Sequence, residues 1–506
     1  MIGSGRRLFA ANLLSAGIAG ATIFPAGADG QTSPVVADRQ LQIVDSLVAT
    51  EFAKDSIGSI TVGVIAGSEL VWTRSYGFAD MKSRRPADRN TVYRIGSITK
   101  PFTAVMLMQL VEAGKVRLSD PVERFLPEVR NLGAKPRGVQ PFTFVQLATM
   151  TAGLQREPAE GERFWTGPVS AWDKQMLAAL AHTNYISAPG TEFSYSNIGY
   201  AILGGALARA AGQPYIAWQR ERIFAPLGMD RTRFDVDSSI ARDLAVGYVV
   251  NGDGTLDDRT ATQEIRDGRG YKVPNGAMFT TVDDLARFVA FELGRGPRAV
   301  LQRATLEDAF GGLVVTDPSL ERGYGLGFMA MRRDDYTYTG HNGSVAGYQA
   351  SMYFERQMQM GVVLFQNVTG GRKDPDGLAA DILASLVNAR RAEIQADLNA
   401  RFKAQKASPG SEVVLRQIIG ELRQGKPNYD LMNPVLARQV RRQLADEQAA
   451  MASLGALMSL TFKSVGSGGA NVYQATFEKG AQEWRIWFNP EGTVDFFAHR
   501  PIATSK

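Results

Sequence analysis

Ser97-Ile98-Thr99-Lys100-Pro101 stands where an extended segment gives way to a long helix whose Phe102, Val105, Met106 and Leu110 recur at helical spacing. A serine three residues before a lysine puts hydroxyl and amine on one face of a helical turn, so the amine can take the hydroxyl proton during nucleophilic attack. Proline has no backbone N–H and is tolerated only in a helix's first turn, which places Ser97 at the N-terminal end. There the free amides and the helix dipole favour developing negative charge. Taken alone, Ser-x-x-Lys is a loose pattern that a capping serine and a solvated lysine also satisfy. It occurs only once in the 506 residues.

Two downstream segments give it company: Tyr195-Ser196-Asn197, inside the stretch from Pro189 to Tyr200, and His341-Asn342-Gly343-Ser344. Serine–lysine pair, polar loop triplet and basic-x-Gly strand, in that order, form the three-part signature of penicillin-recognising serine enzymes. The chain thereby resembles the serine β-lactamase/penicillin-binding protein family, in its class C β-lactamase and D-aminopeptidase-like branch, whose middle triplet is Tyr-x-Asn. Gly114 to Pro121, Leu147 to Leu154, Pro226-Leu227-Gly228-Met229, Asn275-Gly276-Ala277 and Tyr324-Gly325-Leu326-Gly327 match further family segments, so the resemblance spans residues 40 to 390.

The resemblance implies an α/β (α+β) fold with one antiparallel sheet flanked by helices, of the β-lactamase/transpeptidase type. It also implies that Ser97 forms an acyl-enzyme while Lys100 and Tyr195 share the proton transfers. Asn197, His341, Gly343 and Ser344 then bind substrate, and the amides of Ser97 and Ser344 form the oxyanion hole. An unperturbed lysine or tyrosine is protonated at neutral pH, so one of the pair must be depressed by its neighbours.

Composition narrows the alternatives. The chain has no cysteine, which excludes thiol catalysis and disulfide scaffolding, and its three histidines, His182, His341 and His499, lie too far apart in sequence for a local metal motif. No metal or other cofactor is expected. A net charge of +5 is modest for this length, with the basic residues dispersed, so nothing points to nucleic acid as a partner. Gly-x-Ser-x-Gly is absent, which argues against an α/β-hydrolase elbow. The expected partner is a small-molecule or peptide substrate.

Arg6-Arg7, the apolar stretch from Leu8 to Pro25 and Ala26-Gly27-Ala28 read as an export signal over residues 1–28, with a twin-arginine core. No later segment is apolar and long enough to span a membrane, so a periplasmic or secreted enzyme is expected. Residues 29–395 form the hydrolase domain, with an opening helix at Leu41 to Phe52, a hairpin around Gly67-Ser68 and late strands at Asp335 to Thr339, Gln349 to Phe354 and Met360 to Gln366. A linker at 396–411 contains Ser408-Pro409-Gly410-Ser411, and 412–506 form a small α+β domain of two helices and four strands. Its Trp484, Trp487, Phe496 and Phe497 are expected to pack one sheet face on the helices.

Two departures shape the substrate reading. β-Lactamases and carboxypeptidases of the family carry Lys-Thr-Gly where this chain has His341-Asn342-Gly343, and a histidine is the weaker anchor for a substrate carboxylate at neutral pH. His-x-Gly resembles D-aminopeptidases and D-amino-acid amidases. Met150-Thr151-Ala152-Gly153 replaces the family's His-Thr-Ser-Gly outside the three motifs. The expected activity is hydrolysis of amide bonds in small or D-residue-containing peptides, with esterase or class C-like β-lactamase activity as alternatives. A sensor or binding protein that is acylated once, without turnover, is the alternative of another class.

Overall fold

The computed structural model describes residues 34–308, 314–316, 319–489 and 492–502. The chain divides into two units, Met1–Gln31 and Thr32–Lys506, and the fold is that of the second. The expected export signal over residues 1–28 lies outside the described residues.

Helix α1 (Asp38–Ala53) leads into a hairpin of β1 (Ser59–Ala66) and β2 (Glu69–Asp80). Three helices then matter to the site: α2 (Thr99–Glu112), α3 (Asn197–Ala211) and α4 (Val282–Ala290). Strands β3 (Met329–Arg333), β4 (Tyr336–Val345), β5 (Tyr348–Glu355) and β6 (Met360–Gln366) follow, and then α5 (Pro375–Ala404). The sheet runs β2-β1-β6-β5-β4-β3, antiparallel throughout, and short strands extend it at both edges to nine. The N-terminal hairpin thus pairs with the last strand, Val62 opposite Leu364, and closes the sheet around the helical middle of the chain.

Strand period divides the core in two. Ile60, Val62, Val64, Val362 and Leu364 point to the face covered by α1 and α5, whereas Ile65, Val363 and Phe365 point to the side of α2 and α4. With both faces covered, all eight residues of β1 are buried; the alternating pattern read from Ile60, Val62 and Val64 marks one face only. Helix α2 is buried almost all round, and its Phe102 stacks on Phe288 of α4 with centroids 3.8 Å apart. Burying one such side chain stabilises by about 1.5–3 kcal/mol.

Beyond α5, helices α6 (Ser411–Gln424) and α7 (Pro434–Leu454) pack on a four-stranded meander, β7 (Leu457–Val465), β8 (Asn471–Phe477), β9 (Gly480–Phe488) and β10 (Val494–Pro501). Two sequence expectations need correction here. Helix α5 continues to Ala404, capped by Gln405 in the left-handed conformation (φ 49°), so only the end of the 396–411 segment is non-helical. Of the four aromatics, Trp484 and Phe497 enter the module's core, but Trp487 and Phe496 pair with each other at 5.6 Å outside it, and Phe496 is exposed. Trp484 and Trp487 are an odd number of residues apart on one strand and so face opposite ways. Among the described residues no helix is long and apolar enough to cross a membrane.

Candidate active site

Three elements converge on Ser97. Ser97 lies in a one-turn 3₁₀ segment, Gly96–Ile98, that runs straight into α2, with Pro101 in the first turn as its missing N–H requires. Lys100, on the same face, is completely buried, and its Nζ lies 3.0 Å from Ser97 Oγ, 2.8 Å from Asn197 Oδ1 and 3.0 Å from the carbonyl oxygen of Asn275. The last two partners can only accept. Nζ thus donates to three oxygens, and an amine that gave up its proton would turn a lone pair to the Ser97 hydroxyl. Burial favours that loss: desolvation pushes Lys100 well below its ordinary value, opposed by the charge of Glu157 and aided by Arg156 and Lys272.

Tyr195 and Asn197 come from the N-terminus of α3. Ser196 between them is the N-cap, its Oγ accepting from the Gly199 N–H at 3.0 Å, which turns its two neighbours toward the site. Lys100 Nζ sits 4.8 Å from the centre of the Tyr195 ring. Burial drives the Tyr195 phenol far above its ordinary value, against a lowering contact with Ser97, so it stays protonated. The two groups expected to share the proton transfers are thus shifted in opposite senses, the Lys100 amine down and the Tyr195 phenol up, both chiefly by burial.

Strand β4 brings Gly343 and Ser344 against the nucleophile turn. A Cβ on Gly343 would lie 1.9 Å from the Ile95 carbonyl oxygen and 2.9 Å from the Ser97 nitrogen, and one on Gly96 would lie 2.9 Å from the Ser344 nitrogen. Only glycine at both places lets the two backbones approach this closely, which sets the Gly343-Ser344 backbone beside the Ser97 turn. Gly96 also has φ +49°, the left-handed region. Asn342 is tied down from behind, its Nδ2 donating to the Asp376 carboxylate.

His341 departs from expectation. Its ring is wholly buried, with Nδ1 donating to the carbonyl oxygen of Asn342 and Nε2 lying 3.1 Å from the Tyr324 hydroxyl, which donates to it. Burial first, and then the neighbouring Lys100, lower it to about 3. It is thus a neutral packing partner of Tyr324 and Tyr195 rather than a group on the cleft surface that binds substrate directly. Met150 is buried likewise, its sulfur accepting from the Ser196 N–H at 3.3 Å beneath the triplet.

Sequence reasoning missed Glu157. Its Oε1 accepts from Asn197 Nδ2 at 2.6 Å, and its other oxygen accepts from the Tyr271 hydroxyl. That bond orients the Asn197 amide so that Oδ1 faces Lys100. Lys272, 3.6 Å from Glu157 and stacked 3.6 Å from the Trp165 ring centre, is lowered to about 8 by burial. Behind it, Arg269 and the buried Arg94 share the Glu264 carboxylate at 2.6 and 3.0 Å. These residues are scattered over a hundred positions and more, and no local motif connects them.

Residues 44–386 match the family model described as Beta-lactamase. The chain is 27% identical over 350 residues to beta-lactamase-like protein 4 of Dictyostelium discoideum, which covers 64% of this chain and 59% of that one. It is 34% identical over 208 residues to the D-alanyl-D-alanine-carboxypeptidase/endopeptidase AmpH of Escherichia coli K12, covering 40% of this chain and 52% of AmpH. The chain thus spans about half to three fifths of the length of these relatives. In three dimensions it resembles the octameric penicillin-binding protein homologue from Pyrococcus abyssi, with a TM-score of 0.57 and 20% identity, covering 92% of this chain and 96% of that one.

Proposed function

This chain belongs to the beta-lactamase family of serine hydrolases, and we propose that within it the chain cleaves amide bonds of small or D-residue-containing peptides through a Ser97 acyl-enzyme. The observation that carries the reading is the buried Lys100 amine 3.0 Å from the Ser97 hydroxyl, which burial pushes well below its ordinary value. Lys100 takes the hydroxyl proton as Ser97 Oγ bonds to the carbonyl carbon. The oxyanion meets the amides of Ser97 and Ser344, each such donor contributing about 3 kcal/mol in the transition state. The C–N bond then breaks, the leaving amine takes the proton from Lys100, and water repeats the sequence on the ester.

AmpH, a relative named for peptide cleavage next to D-alanine, supports the substrate class, as does the likeness of His-x-Gly to D-aminopeptidases. Esterase or β-lactamase turnover is the second reading, favoured by the same acyl-enzyme geometry. Intact-mass detection of the Ser97 adduct across peptide amides, esters and β-lactams, with turnover followed in parallel, separates these readings. A single stoichiometric burst would make the protein a sensor instead. Ser97→Ala is expected to abolish both adduct and turnover, and Lys100→Ala to slow acylation by about 10²–10⁴-fold. Labelling of another serine in Ser97→Ala would sink the proposal. On Arg6-Arg7 and Ala26-Gly27-Ala28 we also propose export, to be checked by sequencing the mature N-terminus, expected near Asp29.

A further inference from the structure

The cleft beside Ser97 carries more positive than negative charge, and one cation in it is unpaired. Arg156 precedes Glu157, and its carbonyl oxygen accepts from the Asn197 N–H at 2.9 Å, which pins its backbone to the start of α3. Its guanidinium lies 4.9 Å from the centre of the Tyr195 ring, exposed to solvent, and forms no ion pair among the described residues. Glu157 cannot neutralise it, because that carboxylate is engaged by Asn197, Tyr271 and Lys272. Around the site four cations, Arg94, Arg156, Arg269 and Lys272, face two carboxylates, Glu157 and Glu264. Arg94 Nη1 and Arg269 Nε are buried with no hydrogen-bond partner. The remaining histidine of the third motif adds no competing anchor, since its ring is enclosed.

We propose that Arg156 binds a carboxylate of the substrate, so that the preferred peptides are those with a free carboxylate reaching the Tyr195 side of the cleft. This rests on the serine-hydrolase reading above. A guanidinium stacked on an aromatic face has its plane fixed while its N–H edge stays free, which suits the two parallel hydrogen bonds a carboxylate accepts. The two demands of the site are then divided: Lys100 must be uncharged to act as base, and the charge that attracts the substrate sits on Arg156. The missing family lysine leaves the cleft with a cation at a different place.

The test uses peptide substrates in pairs that differ only in a free carboxylate or its primary amide, with wild type, Arg156→Gln and Arg156→Lys. Wild type is expected to favour the carboxylate member in kcat/KM, and Arg156→Gln to lose that preference by about 10–100-fold, the scale of one charge-assisted pair. Arg156→Lys, which keeps charge but not the fork, is expected to fall between them, and added salt to weaken the wild-type preference. Should no peptide be turned over, the peptide reading fails separately. The pair then becomes a penicillin and its methyl ester, read as the rate of Ser97 acylation by intact mass. A preference absent in wild type, or unchanged in Arg156→Gln, overturns the proposal.

Discussion

Burial pushes the Lys100 amine well below its ordinary value, and the pH dependence of the proposed mechanism follows from that. With the neutral amine as the proposed base, acylation is expected to be lost as pH falls through the folded-state value, which burial places well below 10.5. The same shift sets a stability window: below 10.5 the unfolded lysine binds a proton that the folded one does not, so this contribution to stability diminishes as pH falls through the interval. Glu157 acts on the amine in two ways, by its charge, which raises Lys100, and by holding the Asn197 amide. Glu157→Gln is therefore expected to slow acylation and also to move the acid limb of the rate profile to lower pH, read by stopped-flow acylation against pH. A slower rate with an unmoved limb would make Glu157 only a packing residue. His341→Lys, which the sequence alone suggests as a switch toward carboxylate substrates, would instead put a charge in a closed pocket next to Lys100. The expected outcome is a lower melting temperature with no gain in cephalosporin hydrolysis, measured by calorimetry and kinetics on the same preparation.

At the level of elements, the site is the junction of a strand edge and a helix start. β4 was legible as a strand only to Thr339, since His341, Asn342, Gly343 and Ser344 lack the β-branched and aromatic character of a strand. Pairing with β5 carries it on to Val345, Gly343 opposite Ala350. The contact of β4 with the 3₁₀ turn at Gly96–Ile98 has no room for a methyl group. Gly343→Ala is expected to push strand and nucleophile turn apart, reducing Ser97 acylation by at least the roughly 10²-fold attributed to loss of one oxyanion donor. A crystal structure of the variant with the two backbones unmoved and acylation intact would refute this account of the oxyanion site.

At the scale of the whole molecule, the hydrolase domain and the C-terminal module have separate cores. Leu415, Ile418, Ile419 and Leu422 cluster with Tyr473, Trp484 and Ile486, and no residue before Val414 joins them. Links across the boundary are polar, such as Gln405 Oε1 accepting from the Val465 N–H at 2.9 Å and the exposed Arg298–Asp430 pair at 2.9 Å, and a cavity of about 1020 Å³ lies alongside. An exposed pair of that kind contributes about 0–1 kcal/mol. A chain ending at Ser408 is thus expected to fold and to retain Ser97 acylation, checked by intact mass and a thermal melt; an insoluble or inert product would show that the module completes the hydrolase fold. What the sequence by itself determined was the set of residues whose spacing is local: Ser97 and Lys100 on one turn, Tyr195 and Asn197 in one polar triplet, and the hairpin and helices with clear period. Which of them faces the cleft was settled only by packing, because burial is a property of neighbours distant in the chain. That is why His341 turned inward to Tyr324, why Lys100 lies buried between Asn197 and Asn275, and why Glu157 and Arg156 gained their places only when the loop before α3 met Asn197.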